Sequence, residues 1–187
     1  MARQVIKLGS SSIASRGGLA LDVIAGLVSQ IAAAQRAGHE IILVTSGAAR
    51  LGRQLLAFEG PTAGAGQALA ALVSSVRAAV QTADYQQLAE TLSLYVTPPA
   101  GPQALDAALP SAVGQPALMA LYRQLAAAVG VEVCQILVSR SELDSARAMA
   151  DLGKLLREAT GRGLLPIVNG NDATDPLSAL DLSLIHI

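Results

Sequence analysis

Three short polar clusters follow apolar runs in this chain, and their residue types suit the binding and transfer of a phosphate. They are KLGSSS at Lys7–Ser12, SGA at Ser46–Ala48 and NGND at Asn169–Asp172. A glycine lets backbone amides approach a phosphate closely, and a lysine at a strand end supplies a point charge for a transferring group. A hydroxyl and backbone amides ahead of a helix, as at Ser46, suit a carboxylate. The clusters together predict phosphoryl transfer to a small acid.

Each cluster taken alone has a simpler interpretation. A lysine at a strand end is commonly a solvated side chain, and Ser-Gly or Asn-Gly-Asn-Asp is commonly a plain turn. The P-loop pattern GxxxxGK[ST] is absent. A serine hydrolase using Ser46 is disfavoured because the GxSxG turn is missing and only His39 and His186 could act as a base. The prediction of phosphoryl transfer therefore depends on the three clusters lying together in the fold.

The elements that would position these clusters alternate between strands and helices. Apolar runs predict strands at Gln4–Leu8, Glu40–Thr45, Val131–Val138 and Leu164–Val168. Helical periodicity predicts helices from a cap at Asp22 to Gly38, and at Ala48–Glu59, Pro116–Val129 and Ser145–Ala159. This alternation predicts a three-layer α/β/α fold with a mainly parallel sheet. Ligands of such sheets bind outside the carboxyl ends of the strands, where all three clusters would lie.

Composition excludes several classes of protein. The chain of 187 residues is 52% hydrophobic, with 13 basic and 14 acidic residues that form no block of one sign. A nucleic-acid partner is therefore not expected, and aromatic residues, at 2%, are too few for base stacking. No uncharged apolar run reaches the ~20 residues that cross a membrane, and no signal peptide is visible. Cys134, the single cysteine, suits a reducing compartment, so a cytoplasmic location is predicted.

The domain organisation predicted from the sequence is one domain with an insertion and a foreign tail. Residues 1–181 form the domain, and a helical insertion occupies about residues 60–110 between the linker-like segments Gly60–Gly66 and Thr97–Pro102. Leu182–Ile187 (LSLIHI) resembles the translation of a sequencing-library adapter. We therefore expect residues 182–187 to be non-native, and the chain to be the front part of a longer gene.

Six motifs carry a family resemblance. They are KLGSSS at Lys7–Ser12, VTSGA at Val44–Ala48, AVGQ at Ala112–Gln115, LMALY at Leu118–Tyr122, QILVSR at Gln135–Arg140 and PIVNGND at Pro166–Asp172. Their residues and their order resemble the glutamate 5-kinase branch of the amino acid kinase family. The likeness implies the family's α/β/α fold, truncated here before the nucleotide-binding half.

The resemblance also implies an activity and a set of site residues. The reaction would be ATP-dependent phosphorylation of the γ-carboxylate of L-glutamate to γ-glutamyl phosphate, the first step toward proline. ATP and Mg²⁺ would be the cofactors, no metal ligand is assigned to this chain, and the parent enzyme would be a homo-oligomer. The fragment alone would be inactive. The implied residues are Lys7 as the catalytic group on the transferring phosphate, Gly9 and Ser10 in the phosphate loop, and Ser46, Gly47, Asn169 and Asp172 on glutamate.

Two other readings remain open from the sequence. One is an amino acid kinase that acts on a different small acid; the serine-rich KLGSSS and the AVGQ motif favour the glutamate branch over it. The other is a non-catalytic relative that binds a ligand in the same place. The sequence departs from the branch at Gly170, where the motif has Glu, and at Asp151, where Asn is expected.

Overall fold

The structure is a computed structural model that describes residues 2–9, 12–15, 18–56, 74 and 108–175. Apart from Ser74 and residues 108–110, the predicted insertion lies outside the described residues, as do Ser10 and the tail at 182–187. The elements in chain order are β1 Arg3–Leu8, β2 Ala14–Ser15, β3 Gly18–Leu19, α1 Leu21–Arg36, β4 Glu40–Thr45, α2 Ala48–Leu56, α3 Ala108–Ala128, β5 Val133–Val138, α4 Arg140–Leu143, α5 Ala146–Gly161 and β6 Leu165–Gly170.

The main sheet has four strands in the order β1-β4-β6-β5, and every neighbouring pair is parallel. The small hairpin of β2 and β3 is antiparallel and separate from it. Parallel neighbours need crossover connections, which the helices provide. The prediction of a mainly parallel α/β sheet is therefore confirmed. The hairpin and the short helix α4 were not predicted, because two-residue strands and a single helical turn leave no periodic pattern.

Two hydrophobic layers enclose the sheet. On one face, here called the α3 face, helices α1, α2 and α3 pack on the odd-numbered residues of β4 and β6, such as Leu43 and Ile167. On the opposite face, the α5 face, helix α5 packs through Leu156 on Val44 and Val168. Successive side chains of a strand point to opposite faces, so each strand contributes to both layers. Burial on both faces explains why β4 and β6 are nearly continuous apolar runs.

Helix α1 begins and ends for different reasons. The predicted cap at Asp22 is wrong: the N-cap is Ala20, which makes no side-chain cap hydrogen bond, and Asp22 lies in the first turn. There its carboxylate complements the positive end of the helix dipole. The predicted end at Gly38 is confirmed, since this residue has a φ of 85° and its N–H donates to the Gln35 carbonyl.

Helix α3 starts eight residues earlier than its sequence suggests. Pro116 was predicted to open the helix, but the helix runs from Ala108 to Ala128 and encloses this proline. A proline inside a helix removes one backbone hydrogen bond, and burial of residues on both sides of it compensates that loss. Although α3 is long and apolar, no helix in the described part of the chain qualifies as a membrane span.

Candidate functional site

The carboxyl ends of the four parallel strands lie at one rim of the sheet. Leu8 of β1 pairs with Thr45 of β4, and Leu137 of β5 pairs with Asn169 of β6. β4 and β6 are themselves neighbours, with Val44 paired to Val168. The next residues of each strand therefore emerge at the same level. This carboxyl rim consists of Gly9, Ser46–Gly47, Ser139 and Asn171–Asp175.

The β1 part of the rim is Gly9, and Lys7 lies two residues earlier, within the strand. Lys7 pairs with Val44, whose side chain belongs to the α5 face, so the exposed lysine also projects from that face. The Gly9 carbonyl accepts hydrogen bonds from the N–H groups of Ser12 and Ile13, at 3.0 and 3.3 Å. Ile13 is fully buried and fixes this loop to the core. Ser10 lies outside the described residues.

The β4 part of the rim is the turn Ser46–Gly47, which leads into α2. Gly47 has a φ of 104°, a conformation that side-chain-bearing residues rarely adopt. A Cβ at this position would overlap the Ile13 side chain, so the β1 loop packs directly against this turn. The Gly47 carbonyl accepts the N–H of Leu51 at 3.0 Å, which makes Gly47 the start of the helix. The first-turn amides of α2 have no intrahelical acceptors and suit an anion.

A buried hydrogen-bond chain holds this turn from below. The hydroxyls of Thr45 and Tyr122 are 2.7 Å apart, and Thr45 Oγ1 also donates to the Ser46 carbonyl at 3.3 Å. Because the threonine proton is used on Ser46, the tyrosine hydroxyl is the donor to Thr45. Burial raises the pKa of Tyr122 to about 12, so this hydroxyl keeps its proton at neutral pH. Helix α3 thereby positions the Ser46 backbone.

A second link joins α3 to the end of β6. Asn169 is 4% exposed, and its Nδ2 donates to Gln115 Oε1 at 2.9 Å. The N–H of Gly170 donates to Asn169 Oδ1, also at 2.9 Å. The two bonds fix which way each carboxamide points. Asn169 is consequently held by the protein on both ends of its amide.

Helices α2 and α3 touch backbone to backbone, which brings Gln115 to the rim. A Cβ on Gly52 would overlap the Pro110 carbonyl, and a Cβ on Gly114 would overlap the Ala48 carbonyl. Glycine at both positions is required for this approach, because the obstructing atoms belong to the main chain. As α2 runs from residue 48 to 52, α3 runs from 114 to 110, so the two helices are antiparallel. Gln115 therefore lies beside the first turn of α2.

The loop after β6 is fastened to the end of β5. The N–H of Asn171 donates to the Val138 carbonyl, and the N–H of Arg140 donates to Asp175 Oδ2, both at 2.8 Å. Asn171 also accepts the N–H of Asp175 at its carbonyl, which closes the turn. Asp172 lies within this turn and is partly buried. Its carboxylate therefore stands on a backbone with defined geometry.

Other ionisable groups of the described residues add no further reactive centre to the rim. Burial raises the pKa of the Cys134 thiol, which disfavours the nucleophilic thiolate. His39, considered above only as a possible base for Ser46, lies at the opposite end of β4, and its Nδ1 is buried without a hydrogen-bond partner. Within the described ranges, no three His, Cys, Asp or Glu residues are grouped to hold a metal ion.

The structure brings most of the residues singled out from sequence to this rim, and adds others. Gly9, Ser46, Gly47 and Asp172 lie on the carboxyl rim, next to Asn169 on the α3 face, while Lys7 projects from the other face. Sequence reasoning missed three side chains that contact this group: Thr45, Tyr122 and Gln115. The AVGQ and LMALY motifs included Gln115 and Tyr122 without giving either residue a role, and no local pattern marks the contact of Tyr122 with β4.

Comparison with known proteins gives the same picture. A family model described as amino acid kinase family matches residues 2–183. The glutamate 5-kinase of Halalkalibacterium halodurans is 31% identical over 196 residues, covering 98% of this chain and 42% of that protein. Those of Gloeobacter violaceus and Parasynechococcus marenigrum are 32% and 35% identical, covering 95% and 92% of this chain. The chain spans 36–42% of the length of these relatives. On its fold and on this match over nearly its whole length, the chain belongs to the amino acid kinase family.

Proposed function

We propose that this chain is the acceptor-binding part of a glutamate 5-kinase, an enzyme that phosphorylates L-glutamate on its γ-carboxylate with ATP. The observation that carries the proposal is the carboxyl rim, where a glycine loop, a serine ahead of a helix and an aspartate follow adjacent parallel strands, with Lys7 one residue before the end of β1. The relatives named glutamate 5-kinase support the choice of acceptor.

The reaction needs little covalent chemistry from the protein. A γ-carboxylate oxygen of glutamate attacks the γ-phosphorus of ATP, and the bond from that phosphorus to the bridging oxygen of the β-phosphate breaks. The bond electrons leave with ADP, and γ-glutamyl phosphate is formed. The attacking carboxylate is already ionised at neutral pH, so no general base is required. Catalysis then consists of positioning the reactants and neutralising charge on the phosphoryl oxygens.

The strand order suggests how the two reactants are arranged. β1 carries Lys7 and Gly9, and neighbouring strands are ~4.8 Å apart, so the ends of β1 and β6 are separated by roughly 10 Å. In this proposal Lys7 and the β1 loop, with Ser10, contact the transferring phosphate. The acceptor lies over β4 and β6, with its γ-carboxylate on Ser46–Gly47 and its ammonium group on Asp172.

Mg²⁺ and nucleotide binding are part of the proposal for the whole enzyme. The described residues offer no cluster of ligands for a metal ion, so we assign Mg²⁺ no protein ligand here and derive no step through it. We further propose a cytoplasmic enzyme that self-associates; the single cysteine is compatible with a reducing compartment.

The activity can be tested in a chimaera. This chain replaces the segment of the Halalkalibacterium halodurans glutamate 5-kinase that it matches, and the product is incubated with ATP, Mg²⁺ and L-glutamate. Hydroxylamine traps γ-glutamyl phosphate as a coloured hydroxamate, and ADP is measured in parallel. We expect glutamate-dependent formation of both. Turnover with another small acid in preference to glutamate would contradict the acceptor assignment, and glutamate binding without turnover in a folded chimaera would favour a non-catalytic relative.

A further inference from the structure

The Gln115 carboxamide carries a buried hydrogen-bond donor with no partner. Its Oε1 accepts Asn169 Nδ2 at 2.9 Å, but its Nε2 is shielded from solvent and bonded to nothing. A buried polar group without a hydrogen-bond partner destabilises the folded state, and native proteins keep few of them. The unpaired donor of Gln115 therefore needs a physical explanation. The side chain as a whole is only partly buried, so the amide lies near the protein surface.

Rotating the Gln115 carboxamide by 180° would not remove the problem, because its hydrogen bond with Asn169 would be lost. The N–H of Gly170 donates to Asn169 Oδ1, which commits the other end of Asn169, Nδ2, to donate toward Gln115. Gln115 must therefore accept this hydrogen bond with its Oε1, since two amide nitrogens facing each other would repel. Its Nε2 is therefore directed away from Asn169 by the hydrogen-bond chain itself.

The unpartnered N–H groups lie at the end of the acceptor site that is remote from Lys7. Gln115 is next to Gly114, which packs against Ala48 in the first turn of α2, and it contacts β6 rather than β1. If the γ-carboxylate points toward β1, the opposite end of the acceptor lies over β6. That end of an amino acid carries a second carboxylate, whose oxygens accept hydrogen bonds from amide donors.

We propose that Gln115 Nε2 binds the α-carboxylate of the acceptor and so selects α-amino acids over simple acids. The inference rests on the proposed function, because it presumes an acceptor bound at this rim by its γ-carboxylate. Asn169 acts through Gln115 as a positioning residue, holding the carboxamide in the orientation that offers its N–H groups.

The test compares two ligands that differ in the group under question. L-glutamate and 4-aminobutyrate share the γ-carboxylate and the amine, but 4-aminobutyrate lacks the α-carboxylate. Their dissociation constants for the 187-residue chain are measured by calorimetry. We expect the Gln115→Glu variant to lower the preference for L-glutamate about tenfold or more, as loss of a hydrogen bond to a charged group implies. Glutamate keeps an oxygen for Asn169 Nδ2 but replaces the donor with a repelling charge.

Two further variants keep the test decisive. If Gln115→Glu does not fold by circular dichroism, Gln115→Met removes the donor with similar volume and no buried charge. Ser111→Ala is the matched control, because Ser111 lies one turn earlier on α3 and also has a buried hydroxyl without a partner. It should leave both dissociation constants unchanged.

Each outcome either supports or overturns the assignment of Gln115 Nε2 to the α-carboxylate. A selective loss of L-glutamate affinity supports the assignment. Equal weakening of both ligands, no change in either, or a wild-type chain that binds both equally well overturns it and leaves the proposed function standing. A folded wild-type chain that binds neither ligand overturns the inference together with the proposed function.

Discussion

The two faces of the sheet differ in how the carboxyl rim is supported. On the α3 face, two side-chain hydrogen bonds connect α3 to the strand ends: a buried one from Tyr122 to Thr45 and a partly buried one between Asn169 and Gln115. On the α5 face, Lys7 is exposed, and so is Val5 beside it on β1, at 43%. Under the proposed function the acceptor meets the first face and the phosphate meets Lys7. Under that proposal, binding of the acceptor depends on contacts in the core, whereas the phosphate is contacted by an exposed side chain.

The largest expected effect separates activity from stability on the exposed side. Lys7→Ala in the chimaera should lower turnover about a thousandfold, since a charge that stabilises the transferring phosphoryl group is lost. The midpoint of thermal unfolding should barely change, because surface substitutions are usually within about 0.5 kcal/mol. Lys154→Ala, at an exposed lysine of α5, is the control and should leave turnover unchanged. Comparable turnover in the two variants would remove Lys7 from the mechanism.

The packed side should respond in the opposite way, through its fold. Gly114→Ala places a methyl group against the Ala48 carbonyl and should destabilise the chain by about 3 kcal/mol, as overpacking against backbone does. Gly26→Ala is the matched control in α1, where a Cβ meets nothing within 4 Å. It should stabilise the chain by about 0.5–1 kcal/mol through helix propensity. Urea unfolding measures both, and equal effects would show that α2 and α3 can separate cheaply.

A smaller effect is expected from the buried hydroxyl chain beneath Ser46. Tyr122→Phe should reduce the free energy of unfolding by about 1 kcal/mol, because one hydrogen bond is lost while the ring remains packed. A double-mutant cycle with Thr45→Val isolates the interaction from the effects of each single change. Strictly additive effects of the two substitutions would mean that the two hydroxyls do not stabilise each other.

The last expected effect appears only at alkaline pH. The pKa of Tyr122 is raised to about 12 in the folded chain from 10.0, so the unfolded chain loses this proton first. The stability that the neutral hydroxyl contributes is complete below pH 10 and is lost as pH rises toward 12. The slope of stability against pH over this interval should therefore be shallower in Tyr122→Phe than in the wild type. Parallel slopes would place the hydroxyl in contact with water.

The sequence predicted the framework of the fold better than the contacts of the site. Glu40–Thr45 was predicted with the correct bounds because its apolar run is continuous and is followed by a Ser-Gly turn. Pro116 was misplaced because proline usually opens a helix, and the packing that allows it inside α3 is tertiary. The partners of Thr45 and Asn169 lie 77 and 54 residues away, a distance over which no local pattern carries information.

The hydrogen bonds that join the loop after β6 to the end of β5 have a dynamic consequence. Helix α4 is a single turn, too short to be stable alone, and one of its first N–H groups is bonded to Asp175. The Asn171 amide, in turn, is bonded to Val138. Local opening should therefore release the two segments together, and the amides of Asn171 and Arg140 should exchange with deuterium at similar rates. Asp172, which lies on this loop, should therefore lose or regain its position together with helix α4, as one cooperative unit.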